Sequence, residues 1–312
     1  MIAPKLLVLS SLALAVAAGC GGADSDGAPG EQPPAATELA PPEHGMQIAS
    51  TEVKLAPGDE QYSCWDFEVG DAELPLVQLA QQVPEQGVHH YAVFTSSAPY
   101  SADDVGPWDC LTMGIDWGLV SGGGVGTPGV TFPEGAAMKL AAKQHIILQL
   151  HLLNTGGKEL DIAPTRINLV GAEKGDGLQP VGVVVAGTLQ IDIPAHATGF
   201  AVHGGCALEA ALPNIFAVFP HMHQLGRRIQ VELAPATGSA TTLVDDVWDF
   251  GDQGLFPVKG TAKAGDQVKV TCSYDNPNDK EVKFGLHTSD EMCLEVLYHY
   301  PAAKPSAYCG LY

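Results

Sequence analysis

Apolar residues in this chain come in short runs, alternating or β-branched, closed by Gly, Pro, Asn or Asp. Such runs are Val88 to Phe94, Ile146 to Leu153, Val181 to Val185, Ile215 to Phe219, Ile229 to Leu233, Gln267 to Tyr274 and Leu294 to Tyr300. Alternation with period two sends one side of a strand into a core and the other outwards. Many short strands with turn signals between them predict an all-β chain of antiparallel β-sandwiches. The 36 Gly, the 23 Pro and a charged fraction of only 16% disfavour long helices. No internal repeat has a solenoid or propeller period. Turn signals crowd residues 171–180, and Leu189 to Pro194 reads as an opening strand, so a domain break is expected between them. We place it after residue 186, giving domains 46–186 and 187–312.

The first residues read as a processing signal. Met1 to Lys5 is a short basic region, and Leu6 to Ala18 is an apolar run too short to span a bilayer. Ala17-Ala18-Gly19-Cys20 resembles a bacterial lipobox, in which Cys20 carries the lipid; an ordinary secretory signal is the alternative. Residues 1–19 are then a signal peptide and residues 20–45 a flexible linker rich in Gly, Ala, Pro, Asp and Glu. The expected location is extracytoplasmic, facing the periplasm or cell surface, with the N-terminal lipid as sole membrane anchor. Gly21 stands where an aspartate would suggest inner-membrane retention, so the outer membrane is preferred.

Charge and cysteines fit that compartment. A net charge of −21 argues against nucleic acid and against an electrostatic hold on anionic lipid. Besides Cys20, six cysteines remain: Cys64, Cys110, Cys206, Cys272, Cys293 and Cys309. An even number in an oxidising compartment predicts three disulfides, and spacing alone leaves the pairing open. The absence of CxxC argues against thiolate zinc sites, thioredoxin chemistry and c-type haem.

The candidate chemistry lies in histidines. His221 and His223 are two apart, so a strand would point both imidazoles the same way. Solvent-facing strand histidines are the bland alternative. His89 and His90 are adjacent, and a regular strand would send them to opposite faces. Both could meet one ion only at a bulge or a strand start. His151 is the one imidazole in the apolar strand Ile147 to Leu153. A metal or a backbone carbonyl would satisfy its ring nitrogens. Met292 alone would be core filler. Beside a His-x-His pair it completes a soft set of two imidazoles and a thioether, which selects copper and leaves a position open for dioxygen. His44 falls in the linker, and His145, His196, His203, His287 and His299 read as surface or partly buried histidines.

These residues resemble a known family, the copper type II, ascorbate-dependent monooxygenases, which include peptidylglycine α-hydroxylating and dopamine β-monooxygenases. Four blocks carry the resemblance, in order: His89-His90 before an apolar strand; Phe132-Pro133-Glu134-Gly135 with Leu148-Gln149-Leu150-His151; Pro220-His221-Met222-His223-Gln224-Leu225-Gly226; and Ser289-Asp290-Glu291-Met292-Cys293. The resemblance implies two tandem antiparallel jelly-roll-like β-sandwich domains and two coppers per chain, facing a solvent-filled cleft. His89, His90 and His151 would hold the electron-transfer copper. His221, His223 and Met292 would hold the catalytic one, where dioxygen and substrate meet. It also implies the pairs Cys64–Cys110, Cys206–Cys309 and Cys272–Cys293. The expected activity is hydroxylation of a C–H bond with O₂ and an external one-electron reductant such as ascorbate. The partners are then a small-molecule substrate, dioxygen and reductant, with the chain a monomer.

Two positions depart from the peptide-amidating pattern. Phe219 stands where that member has a carboxylate-gripping arginine, and Val296 where it has a substrate-contacting tyrosine. An amidated-peptide substrate is therefore not expected. The competing readings are a non-catalytic copper-binding lipoprotein for storage, delivery or sensing, and a structural surface lipoprotein binding metal adventitiously.

Overall fold

A computed structural model describes residues 38–99, 107–114 and 116–311. The signal peptide, Cys20 and the linker up to residue 37 lie outside the described residues. Residues 38–44 are held against the first sheet: the Leu39 amide donates to Gln82 Oε1 (2.9 Å), and Asn168 Nδ2 donates to the Ala40 carbonyl (2.8 Å).

The described residues fold as all-β, in two tandem jelly-roll-like β-sandwiches. The N-terminal sandwich stacks two five-stranded sheets. One orders Gly45–Ala49, Arg166–Gly171, Leu74–Gln82, Ala136–Leu140 and Gln179–Pro180; the other orders Trp108–Asp109, Glu60–Glu68, His145–Leu153, Val88–Ser96 and Gly118–Gly124. The C-terminal sandwich has a five-stranded sheet, Phe256–Ala262, Leu212–His221, Cys293–Tyr300, Gly182–Thr188 and Ser306–Cys309. Facing it is a four-stranded one, Phe200–Ala207, Gln267–Tyr274, Gly226–Ala234 and Thr241–Val247. Pairing is antiparallel except where Gly182–Thr188 meets Ser306–Cys309 and where Gln179–Pro180 meets Ala136–Leu140.

Burial follows each strand's place. Gln267–Tyr274 alternates exposed and buried positions, as a sheet with one wet face requires. His145–Leu153 is buried at seven consecutive positions, because the central strand of the inner sheet has a core on both sides. One side packs with Trp65, Leu79 and Val93; the other carries Ile147 beside Phe94 and Trp117. The C-terminal sandwich has its own core around Val218, Ile229, Val270 and Leu297. The two are not separate bodies. Val183, Val185, Ala217, Phe219, Val296 and Tyr298, on one face of the C-terminal sheet, join the N-terminal core. Tyr298 Oη donates to Ser121 Oγ across this junction (3.3 Å).

Disulfides join Cys64 to Cys110, Cys206 to Cys309 and Cys272 to Cys293. The last fixes the residue after Met292 to a strand of the opposite sheet.

Candidate metal centres

The pairing of Val88–Ser96 with His145–Leu153 slips between Val88 and His90, leaving His89 as the extra residue of a β-bulge. This answers the difficulty of two adjacent histidines: the bulge lets both turn to one side. His90 then lies opposite His151, and Tyr62 lies opposite it from the other neighbouring strand. One ring nitrogen from each of His89, His90 and His151 falls within a set spanning 4.8 Å. The Tyr62 ring stacks on His151 at 4.2 Å.

Which nitrogen each imidazole offers follows from what the other one does. His89 Nε2 faces the Phe250 carbonyl (3.1 Å), an acceptor, so it carries the proton and Nδ1 keeps a lone pair. His151 Nε2 donates to Glu60 Oε1 (2.7 Å), and its Nδ1 is buried with no partner. His89 and His90 present Nδ1 atoms to each other at 2.9 Å.

The second group lies beside the first. His221 closes the strand Leu212–His221, and His223 follows in the turn. His221 Nδ1 donates to Gln253 Oε1 (2.8 Å), leaving Nε2. His223 Nδ1 donates to the Asp290 carbonyl (3.1 Å), and its Nε2 is buried without a partner. Trp248 Nε1 donates to the His223 carbonyl (3.0 Å). A Cβ on Gly226 would lie 2.6 Å from Trp248 Cδ1, which explains a glycine at the end of this block. Met292 is nearly buried and shares a cavity wall with His221.

All five imidazoles sit below their ordinary pKa because burial penalises the charged form. His89 and His151 fall to about 4, and His221, beside His223, to about 3. At neutral pH they are uncharged and carry available lone pairs, which is what metal ligation requires. The orphaned nitrogens of His151 and His223, on rings whose other nitrogen is tied to an acceptor, fit a metal at each group, and the thioether beside His221 fits copper there.

Three carboxylate and amide side chains support the site from behind the rings. Glu60 Oε1 accepts from His151 Nε2 and also from the Thr288 amide (2.7 Å) and hydroxyl (2.6 Å). Burial opposes ionisation of Glu60, but the Thr288 and His151 hydrogen bonds outweigh it, and its pKa lies below the usual value. Glu291, inside the last motif block, accepts from the amides of His223 (3.0 Å), Leu225 (2.6 Å) and Met292 (3.2 Å). Burial nevertheless raises it to about 7. Gln253 holds His221 and reaches His89 Nε2 at 3.4 Å. Glu291 stood inside a recognisable block; Glu60 and Gln253 had no local signal.

Two expectations are corrected. The resemblance implied a solvent-filled cleft between the two groups. Instead, the His90 and His221 rings lie 5.2 Å apart, because the apolar junction between the sandwiches draws the groups together. His299, expected as a surface or partly buried histidine, is buried, with Nδ1 unpartnered, because it lies on the same face of its strand as the core residue Leu297. His44, His196, His203 and His287 are exposed or paired at the surface, and His145 pairs with Asp66.

Residues 179–311 match the family model described as copper type II ascorbate-dependent monooxygenase, C-terminal domain. The matched stretch holds His221, His223 and Met292. Among curated proteins, DBH-like monooxygenase protein 1 of Homo sapiens is 29% identical over 215 residues, covering 62% of this chain and 33% of its own length. Putative DBH-like monooxygenase protein 2 of Homo sapiens is 26% identical over 258 residues, covering 72% and 49%. Tyramine beta-hydroxylase of Caenorhabditis briggsae is 23% identical over 206 residues, covering 60% and 34%. The chain thus spans a third to a half of the length of these relatives.

Proposed function

We propose that this chain is a copper-dependent monooxygenase that hydroxylates a C–H bond of a small substrate, using O₂ and an external one-electron donor such as ascorbate. The observation that carries the reading is the pair of donor sets, each with a buried, unpartnered imidazole nitrogen, one of them inside a matched copper monooxygenase domain. His89, His90 and His151 would hold one copper through Nδ1 atoms. His221, His223 and Met292 would hold the other. Copper supplies one-electron redox chemistry, with the thioether favouring the reduced state. The overall balance is substrate–H plus O₂, two electrons and two protons, giving substrate–OH and water.

The protein's own residues orient and insulate. Glu60 and Gln253 and the Phe250 and Asp290 carbonyls fix the tautomers of His151, His221, His89 and His223, so each of these four rings turns a lone pair inwards. Glu291 ties the turn carrying His223 to the amide of Met292. The apolar wall beside His221 and Met292 keeps water away from the reacting bond. We further propose a monomer tethered outside the cytoplasm through lipid on Cys20.

Metal analysis and oxygen uptake test this. The reading expects two coppers per chain and ascorbate-dependent O₂ consumption on a substrate panel. Met292→Ile should lose turnover while the first group keeps its copper. Unaltered turnover in that variant sinks the assignment. Two tightly held coppers without any O₂ uptake would favour a copper-binding protein instead.

A further inference from the structure

Beside His221 and Met292 lies a cavity of about 150 Å³. Its wall is built largely from Phe94, Leu111, Leu119, Phe219, Leu294 and Val296, and no charged side chain lines it among the described residues. The polar side chains on the wall have their donors engaged elsewhere. Tyr62 Oη donates to the Leu286 carbonyl (2.7 Å), Gln149 Nε2 to the Cys110 carbonyl (3.1 Å), and Tyr308 Oη to the Trp117 carbonyl (2.9 Å). Tyr91 donates to Gln81, and Gln253 is occupied by His221 and the Phe250 carbonyl.

From this lining we infer that the site takes an uncharged, apolar molecule of about one aromatic ring, and rejects amines and carboxylates. The inference rests on the monooxygenase reading and names its substrate class. Size supports it: dry apolar cavities of roughly 150 Å³ are known to hold benzene. Charge supports it too. An ammonium would meet only a neutral acceptor, His221 Nε2, and no carboxylate on the wall, and a carboxylate would meet no free donor, so neither charge is neutralised there. Phe219 closes one side, with its ring 3.4 Å from where a Cβ on Gly122 would sit. The fit is therefore set by two positions, a bulky Phe219 against a bare Gly122.

Calorimetric titration of the metal-free full chain with three probes sharing one ring tests this: ethylbenzene, 2-phenylethylamine and phenylacetate. Ethylbenzene should bind at least tenfold tighter than either charged probe. Equal or tighter binding of a charged probe, or no binding of any, overturns the inference. Leu119→Trp, which fills the cavity, should weaken ethylbenzene binding tenfold or more. Met113→Arg, at an exposed position on the rim, leaves the core intact and should raise phenylacetate relative to ethylbenzene. Unaltered probe order in a folded Met113→Arg chain also counts against the cavity as the binding site. Ethylbenzene binding without ascorbate-dependent O₂ uptake supports the cavity assignment and overturns the monooxygenase reading. O₂ uptake driven by 2-phenylethylamine and not by ethylbenzene does the reverse.

Discussion

Glu60→Ala should cost about 4 kcal/mol of stability and selectively loosen the first metal group. One oxygen of Glu60 accepts from His151 Nε2 at 2.7 Å, from the Thr288 amide at 2.7 Å and from the Thr288 hydroxyl at 2.6 Å. His151 is fully buried and Thr288 is 4% exposed, so water can reach their donors only through the space vacated by the 20%-exposed Glu60 side chain and replaces the lost acceptor poorly. Each buried donor left unpaired costs ~1–3 kcal/mol. His151 Nε2–H can instead donate to Thr288 Oγ1, 3.3 Å away, and recover part of one bond. Two orphaned donors at about 2 kcal/mol each then give the figure. Melting should fall by roughly 10 °C, at about 2–4 °C per kcal/mol for a chain of this size. Glu60→Gln keeps a carbonyl oxygen in place and should cost only ~1 kcal/mol. The alanine change also frees the His151 proton to move to Nδ1, removing a lone pair from the metal group. Losing such an outer partner weakens metal affinity by roughly 10–100-fold. Copper titration with thermal melting reads both effects. A Glu60→Ala chain that melts within about 2 °C of the parent and keeps both coppers at parent affinity would refute the reasoning.

Acid should destabilise the metal-free protein. His89 and His151 sit at about 4 and His221 at about 3, all below the ordinary 6.5, so the unfolded chain binds protons first. Stability is present above pH 6.5 and falls as pH drops towards 4, by about 3 kcal/mol for each imidazole that titrates independently. Urea midpoints that stay flat from pH 7 to 4.5 would contradict this. Glu295→Met should stabilise. The Glu295 carboxyl is fully buried with both oxygens unpartnered, and burial pushes its pKa well above the usual range. Removing an unpaired buried polar group recovers ~1–3 kcal/mol, and a lower melting temperature in the variant would argue that an unseen partner holds the carboxyl.

The strands were legible because burial on one face writes itself as alternation, as in Gln267–Tyr274. In His145–Leu153 two-sided burial erases that pattern, and only β-branched content and length mark a strand. Three of the four motif blocks hold the five imidazoles that the fold gathers into two neighbouring groups, since residue types at fixed local spacing survive in the sequence. Their outer partners did not. Glu60 is 228 residues from Thr288, and nothing local distinguishes it from any surface glutamate. The bulge at His89 was readable only as a condition, because the slip depends on the neighbouring strand. The closeness of the two groups depends on one face of a strand pair packing against another sandwich, which sequence periodicity does not encode.

That shared packing also determines how the molecule comes apart. Val183, Val185, Ala217, Phe219, Val296 and Tyr298 belong to the C-terminal sheet but are buried in the N-terminal core. Exposing five such large side chains would cost on the order of 1.5–3 kcal/mol each, which is comparable with the whole stability of an ordinary domain, ~5–15 kcal/mol. The sandwiches should therefore melt as one cooperative unit, in a single calorimetric transition.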